Sequence, residues 1–261
     1  MSFGLEDLIS FWRGSINSTS TCHPEDLSTL LSSKPGLCTN DDLVMSYLNE
    51  TTQTPFELSL LPIPYNGDLK SAKIFILMLN PGLSLSDYHI ADHPEFITDS
   101  INVINQTYLD NGFPFSCLNP KYYYWSGFQY WHTKLQPLIK EIQTIKHFKS
   151  YRDALSLVAQ NIATVQFVAY HSRKFGSPQE QVISQLTSPK KAQSYVRYLI
   201  DLACKEEILL LVGRAAQRWQ GITEIQKELP PNIFINRHRG FHLNNFGPGI
   251  LNKTSKLILR A

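Results

Sequence analysis

The chain of 261 residues lacks most of the features by which a sequence reveals a metal site, a membrane protein or a secreted protein. Its four cysteines are scattered and form no C-x-x-C pair, whereas a zinc or iron–sulfur site normally has at least one closely spaced pair. No apolar run approaches the roughly 18 residues of a membrane span, and the first residues lack the basic and then apolar order of a secretion signal. We therefore expect a cytoplasmic protein with no metal, no cofactor and no membrane partner.

Common catalytic motifs are also missing. The sequence has no phosphate-binding G-x-x-x-x-G-K, no G-x-S-x-G, no H-E-x-x-H and no pair of carboxylates placed for acid–base catalysis. The net charge of +2 is too small to indicate a nucleic-acid partner by itself. The residues that remain are asparagine, histidine, arginine and many aromatics. Such a set suits the binding of a polyanion and a flat heterocycle better than the cleavage of a peptide or a phosphate ester.

Strand-like runs alternate with helical patterns along most of the chain. This alternation predicts an α/β fold, with a three-layer α/β/α domain and a four-stranded parallel sheet over residues 61–261. A helical N-terminal extension over residues 1–60 precedes it, with helices at Leu5–Trp12, Pro24–Leu31 and Asn40–Leu48. The predicted strands are 73–79, 163–170, 207–212 and 232–236. The predicted helices of the domain are about 126–143, 151–160, 189–205, 214–220 and 249–259.

The first predicted strand ends abruptly at Asn80-Pro81-Gly82, because proline lacks a backbone donor and glycine permits a tight turn. Two interpretations are open. Asn80 caps the turn, or it is a functional side chain at the carboxyl end of a strand, where open α/β sheets bind ligands. The loops after the other strands begin at His171, Gly213 and Arg237, and most strand-end loops carry polar or basic groups. This coincidence favours the functional interpretation, whereas the pair Lys190-Lys191 is interpreted as solvated surface.

The segment Leu79-Asn80-Pro81-Gly82-Leu83-Ser84 resembles the first active-site motif of the uracil-DNA glycosylase superfamily. It is closest to the mismatch-specific and single-strand-selective branches, which have Asn-Pro-Gly there. Residues 111–115 and 119–125 resemble the family's Gly-x-Pro-Phe and Asn-Arg-Phe-Trp segment. Arg237-His238-Arg239-Gly240 stands where the family has its second motif, usually His-Pro-Ser, and departs from it at Arg239 and Gly240. The tail 252–257 is similar to the closing helix, so the resemblance covers residues 60–261.

The resemblance implies roles for individual residues. Asn80 would position the water that attacks C1′ of the sugar, and His238 would interact with the carbonyl of the leaving base or with the phosphate backbone. Phe115 would stack on the extruded base, and Phe241 or Leu243 would fill the hole left in the duplex. The residues that would bind the base are Gly82, Phe115, Tyr88 and His171. The residues that would contact DNA are Ser172, Arg173, Lys174, Arg214, Arg237, Arg239, Phe241 and Leu243.

Gly82 bears on the identity of the substrate. Strictly uracil-specific relatives have a tyrosine here that excludes groups on C5 of the pyrimidine. A glycine therefore implies a pocket that admits thymine, hydroxymethyluracil or a bulkier modified cytosine. An aromatic-rich expansion at about 85–131 has two interpretations, as the wall of a larger pocket or as core packing against the sheet.

Taken together, the resemblance implies a monomeric, monofunctional DNA glycosylase that leaves an abasic site, since no lysine stands at the motif position. Its partner would be single- or double-stranded DNA. Some bacterial members of the superfamily excise glucosylated hydroxymethylcytosine from phage DNA, and the expansions of this chain are compatible with such antiviral defence. Two alternatives remain open: a nucleic-acid-binding module that keeps the fold without the chemistry, and a hydrolase of free nucleosides.

Overall fold

The computed structural model describes residues 3–18, 20–32, 56–107, 109, 112–213, 215–236 and 241–260. Three sequence predictions fall outside these ranges: the helix over Asn40–Leu48, the basic residue Arg214, and the second motif at 237–240. Within the described ranges, no helix is both long and apolar enough to cross a membrane.

One mixed sheet organises the fold. Strands β2 to β5 are parallel, β1 is antiparallel to β3, and the order is β1-β3-β2-β4-β5. The predicted α/β class is confirmed, but the predicted four-stranded, purely parallel sheet is wrong because the sheet has a fifth, antiparallel edge strand. That strand has two residues, too few to show a hydrophobic period, and exists through its pairing with β3. The strands are β1 Tyr65–Asn66, β2 Ile74–Met78, β3 Ile162–Gln166, β4 Leu209–Val212 and β5 Ile233–Ile235.

Helices pack on both faces of the sheet. Six of the predicted helices are found within two residues of their predicted ends, and the one predicted at about 214–220 is a 3-10 turn followed by a short helix. The described helices are α1 Phe3–Trp12, α2 Pro24–Ser32, α3 Leu85–Ala91, α4 Pro94–Asn105, α5 Ser126–Ile145, α6 Tyr151–Asn161, α7 Ser177–Ile183, α8 Ser188–Cys204, α9 Gln220–Ile225 and α10 Ile250–Arg260. Short 3-10 turns cover Ser116–Leu118, Pro120–Tyr122, Ala216–Arg218 and Leu243–Phe246.

Side chains that alternate along the strands fill two separate hydrophobic layers. Phe75 and Leu77 of β2 belong to the layer that contains α1 and α8, whereas Ile74 and Ile76 belong to the layer that contains α5, α6 and α10. We call these the α8 layer and the α5 layer. Helix α1 packs along α8, so the start of the N-terminal extension shares the core of the α8 layer.

The carboxyl ends of the parallel strands lie along one edge of the sheet. Strand β3 ends at Gln166, whereas the predicted strand over 163–170 ends four residues later. The residues after β3 nevertheless stay beside the loop that follows β2. The first hydrogen bond between the two segments runs from Phe167 N to Met78 O at 2.9 Å, and the last runs from Ser172 N to Pro81 O at 3.3 Å. This path brings residues 170–172 against Asn80.

Candidate functional site

Asn80 lies two residues beyond the end of β2, half-buried, with its side-chain amide tied to the chain that follows β3. Its Nδ2 donates to Pro81 O and to Ser172 Oγ, both at 2.8 Å, and lies 3.3 Å from Tyr170 O. Two of these partners are backbone carbonyls, which can only accept, so the nitrogen and the oxygen of the amide cannot exchange places. No donor among the described residues reaches Asn80 Oδ1. That oxygen is the acceptor that the site offers to a ligand.

Tyr170, whose carbonyl oxygen contacts Asn80, is itself anchored to helix α2. Its hydroxyl donates to Asp26 Oδ2 at 2.8 Å, and Asp26 Oδ1 accepts from Thr187 N at 2.7 Å and Ser188 N at 3.2 Å, where α8 begins. Asp26 is fully buried, and the amino-terminal end of the 17-residue helix favours an anion there. Burial and then the Asp26 carboxylate raise the pKa of Tyr170, so its hydroxyl remains a donor. A polar chain therefore runs from α2 to Asn80.

His171 and Tyr88, two of the predicted base-binding residues, have their polar atoms engaged within the protein. His171 is buried, with Nδ1 2.7 Å from Gly82 O and Nε2 3.1 Å from Leu61 O. The Tyr88 hydroxyl donates to Oε2 of the buried Glu57 at 2.7 Å. In this conformation both side chains support the segments around the Asn-Pro-Gly loop, and neither turns its polar atoms toward a base.

Gly82 borders open space. An ideal Cβ at this position would have no atom of the described residues within 4 Å. Gly213, at the end of β4 on the same edge, is the opposite case, because a Cβ there would lie 2.9 Å from Met78 Sδ and 3.1 Å from Leu77 O. A larger residue at position 82 would project into accessible space close to Asn80, and glycine leaves that space to a ligand.

The apolar residues assigned to the base and to the duplex are core residues of the α5 layer. Phe115 and Phe241 have no exposed surface, and Leu243 is 3% exposed. Both phenylalanine rings pack on Trp131, with ring centroids 5.4 Å and 5.5 Å from it. A stacking ring needs an open face and a wedge needs exposure, so this conformation does not place the three residues in those roles. Their sequence pattern misleads because core and pocket use the same apolar residue types.

The aromatic-rich expansion contains both core and surface rings. Tyr122 and Trp125 are buried, and they donate to Asp99 Oδ2 at 2.6 Å and to Asp87 Oδ1 at 2.7 Å. For these two the core interpretation is right. Three further rings lie at the surface, and we call them the exposed tyrosines: Tyr123, Tyr124 and Tyr130, with 64%, 40% and 38% of their surface accessible.

Gln166, the last residue of β3, is a candidate that sequence reasoning does not single out. It pairs with Met78 in the parallel register and is 7% exposed. None of the described residues donates a hydrogen bond to its Oε1. A buried acceptor without a donor costs about 1–3 kcal/mol, which a donor on a ligand would remove. The available signal is a long amide at the end of a mostly apolar strand.

The predicted DNA contacts divide into three groups. Arg173 is half-buried and Lys174 is exposed. Ser172 is buried, and its hydroxyl is engaged with Asn80. The remaining basic residues, Arg214, Arg237, His238 and Arg239, lie outside the described residues, and their roles stay predictions.

The geometry around Asn80 is what indicates a function for this chain. Comparison with known proteins adds nothing to it. No family model, no curated protein and no solved structure matches this chain.

Proposed function

We propose that this chain is a monofunctional DNA glycosylase that extrudes a uracil-like or C5-modified pyrimidine and hydrolyses its glycosidic bond, leaving an abasic site. The observation that carries the proposal is the fixed amide of Asn80 at the carboxyl end of β2. Three acceptors surround Nδ2, and Oδ1 accepts no hydrogen bond from the described residues. An acceptor held in this way can position an attacking water with little reorganisation.

The chemistry of glycosidic cleavage suits such a residue. The transition state is an oxocarbenium-like sugar cation, which gains more from fixed dipoles and nearby phosphates than from a strong base. Asn80 Oδ1 is the negative end of an amide dipole, so it favours both the water and the positive charge at C1′. The open space at Gly82 supports a base with a substituent on C5.

Base release by the Asn80→Ala variant tests the proposal. Oligonucleotides with uracil, a thymine mismatch, hydroxymethyluracil, hydroxymethylcytosine or its glucosylated form are incubated with the protein and heated in alkali, which breaks abasic sites. We expect the wild-type chain to release at least one base, and Asn80→Ala to lose about 10²–10³-fold in rate while it still binds DNA. Asn252→Ala, at an exposed asparagine of α10, is the matched control and should retain the wild-type rate.

Three results would contradict the proposal. Release that survives Asn80→Ala would remove Asn80 from the chemistry. No release from any oligonucleotide, with DNA binding intact, would instead favour a binding module without catalysis. Hydrolysis of free nucleosides that long DNA does not inhibit, and that salt does not weaken, would favour a nucleoside hydrolase.

A further inference from the structure

A groove of about 690 Å³ opens in the α8 layer between α7, α8 and the chain that leads into α9. One wall is a single face of α8, where Lys190, Gln193, Ser194 and Arg197 recur at intervals of three and four residues. The other side of α8 is anchored in the core, with Tyr195, Val196 and Leu199 buried. The groove is therefore bordered by the polar face of a firmly packed helix.

Three cations line this groove. Lys190 and Arg197 are exposed and lie about 10 Å apart along the axis of α8, at 1.5 Å per residue. Arg218, on the facing wall, pairs with Glu180 and lies 5.4 Å from the centroid of the Phe175 ring. Among the described residues, the lining has three cations against one carboxylate, a net charge of +2. The interpretation of Lys190 as solvated surface does not account for this grouping of cations around one groove.

Arg197 forms an ion pair with Glu224 of α9, with 3.6 Å between Nη2 and Oε1. Both side chains of this pair are more than half exposed, and exposed ion pairs contribute little free energy because water screens them. A phosphate can therefore replace the Glu224 carboxylate at low cost.

The groove begins at the same sheet edge as Asn80. Phe167, which lines the groove, follows β3 directly, and its N–H is bonded to Met78 O, two residues before Asn80. Lys174 and Phe175 lie on the chain between Ser172, which contacts Asn80, and helix α7, which borders the groove. A polymer bound at Asn80 can thus continue along this edge into the groove.

We infer that the groove binds the single-stranded DNA that flanks the extruded nucleotide, an inference that rests on the proposed function. Its phosphates would contact Lys190 and Arg197. Its unstacked bases would face the three glutamine amides of the lining, which both donate and accept hydrogen bonds. A cationic groove with two polar walls suits one strand, whose base edges are free, better than a duplex. The glutamines are Gln193, Gln217 and Gln220.

Salt-dependent binding of the full chain tests this inference. The Asn80→Ala protein is titrated against an undamaged single-stranded oligonucleotide by fluorescence anisotropy at several salt concentrations. Adding Lys190→Gln and Arg197→Gln should weaken binding and reduce the slope of log K against log salt by about 1.4, because each single-strand phosphate contact contributes about 0.7. The matched control adds Lys140→Gln and Lys256→Gln, which remove the same charge from exposed lysines of α5 and α10 and should leave the slope unchanged.

The outcomes separate the groove from the chemistry. Equal slopes for the two pairs of substitutions, or no change for the groove pair, would overturn the inference. If the wild-type chain releases no base but the groove pair alone lowers the slope, the groove binds single strands and the glycosylase proposal fails. If bases are released and the slopes are equal, the glycosylase proposal stands and the groove inference fails.

Discussion

The two hydrophobic layers both contain buried aromatic rings, but they contact the Asn-Pro-Gly loop in different ways. In the α8 layer, hydrogen bonds connect Asp26 through Tyr170 to Asn80, and a cationic groove opens beside them. In the α5 layer, the rings of Phe115 and Phe241 pack on Trp131. That layer also comes close to the Asn-Pro-Gly loop, since Ser126 Oγ at the start of α5 lies 2.7 Å from Ser84 Oγ. The α8 layer therefore orients the Asn80 amide, whereas the α5 layer contacts the loop through Ser84.

Most aromatic rings of the α5 layer are buried in the core, whereas the exposed tyrosines lie at the surface. Three substitutions test how the two layers and the exposed tyrosines differ in their contributions to stability, base release and DNA binding. They run from a core ring, through the polar chain, to the exposed rings.

Phe115→Ala should have the largest effect. The ring is fully buried on Trp131, so its removal leaves a cavity and should lower the free energy of unfolding by about 3–5 kcal/mol. Urea denaturation measures this loss, and Phe115→Leu, which keeps most of the volume, should cost less than about 1.5 kcal/mol. A small loss of stability together with a large loss of base release would return Phe115 to the stacking role and break the comparison.

Asp26→Asn should have the next largest effect, on both stability and activity. The substitution removes a buried charge that accepts three hydrogen bonds, and hydrogen bonds to charged groups contribute about 1.5–3 kcal/mol each. We expect a loss of about 2 kcal/mol in urea denaturation and slower base release, because the Tyr170 carbonyl beside Asn80 loses its anchor. Asp201→Asn, at an exposed position of α8, is the control. Reduced stability with an unchanged rate would show that the chain through Tyr170 is structural only.

The double variant Tyr123→Ala/Tyr124→Ala should have the smallest effect. Both rings are exposed, so stability should not change. If they stack on bases, affinity for single-stranded DNA should fall by about 1 kcal/mol, with no change in the salt slope, unlike the groove pair. Anisotropy titrations measure both quantities, and Tyr123→Phe/Tyr124→Phe should bind normally because the rings remain. Unchanged affinity would restrict DNA binding to the α8 layer.

Local apolar pattern predicts much of this fold. The runs around β2 and β4 are buried on both faces, and the helix patterns of α5, α6, α8 and α10 give their ends within two residues. The position of Asn80 at a strand end also follows from the sequence, since proline and glycine stop the strand. Strand β1 does not, because two residues carry no period and only tertiary pairing defines them.

The contacts that make Asn80 a candidate catalyst could not be predicted. Tyr170 and Ser172 are 90 and 92 residues away from it, and Asp26 is 144 residues from Tyr170. Nothing in the local sequence of either segment specifies these distant pairs. The burial of Phe115 has the same cause, because a pattern of apolar residues does not say whether a ring faces a pocket or another ring.

Under the proposed function, the fixed amide of Asn80 has a consequence for the way in which the base leaves the sugar. With both hydrogens directed at the protein, Asn80 turns lone pairs alone toward a substrate and has no proton to give. A base leaving such a site takes the electron pair of the broken bond and departs as an anion unless another group protonates it. The rate then follows the acidity of the departing base, and electron-withdrawing modifications of the ring speed its loss. The ease with which the base leaves would thus contribute to substrate selectivity, alongside the shape of the pocket.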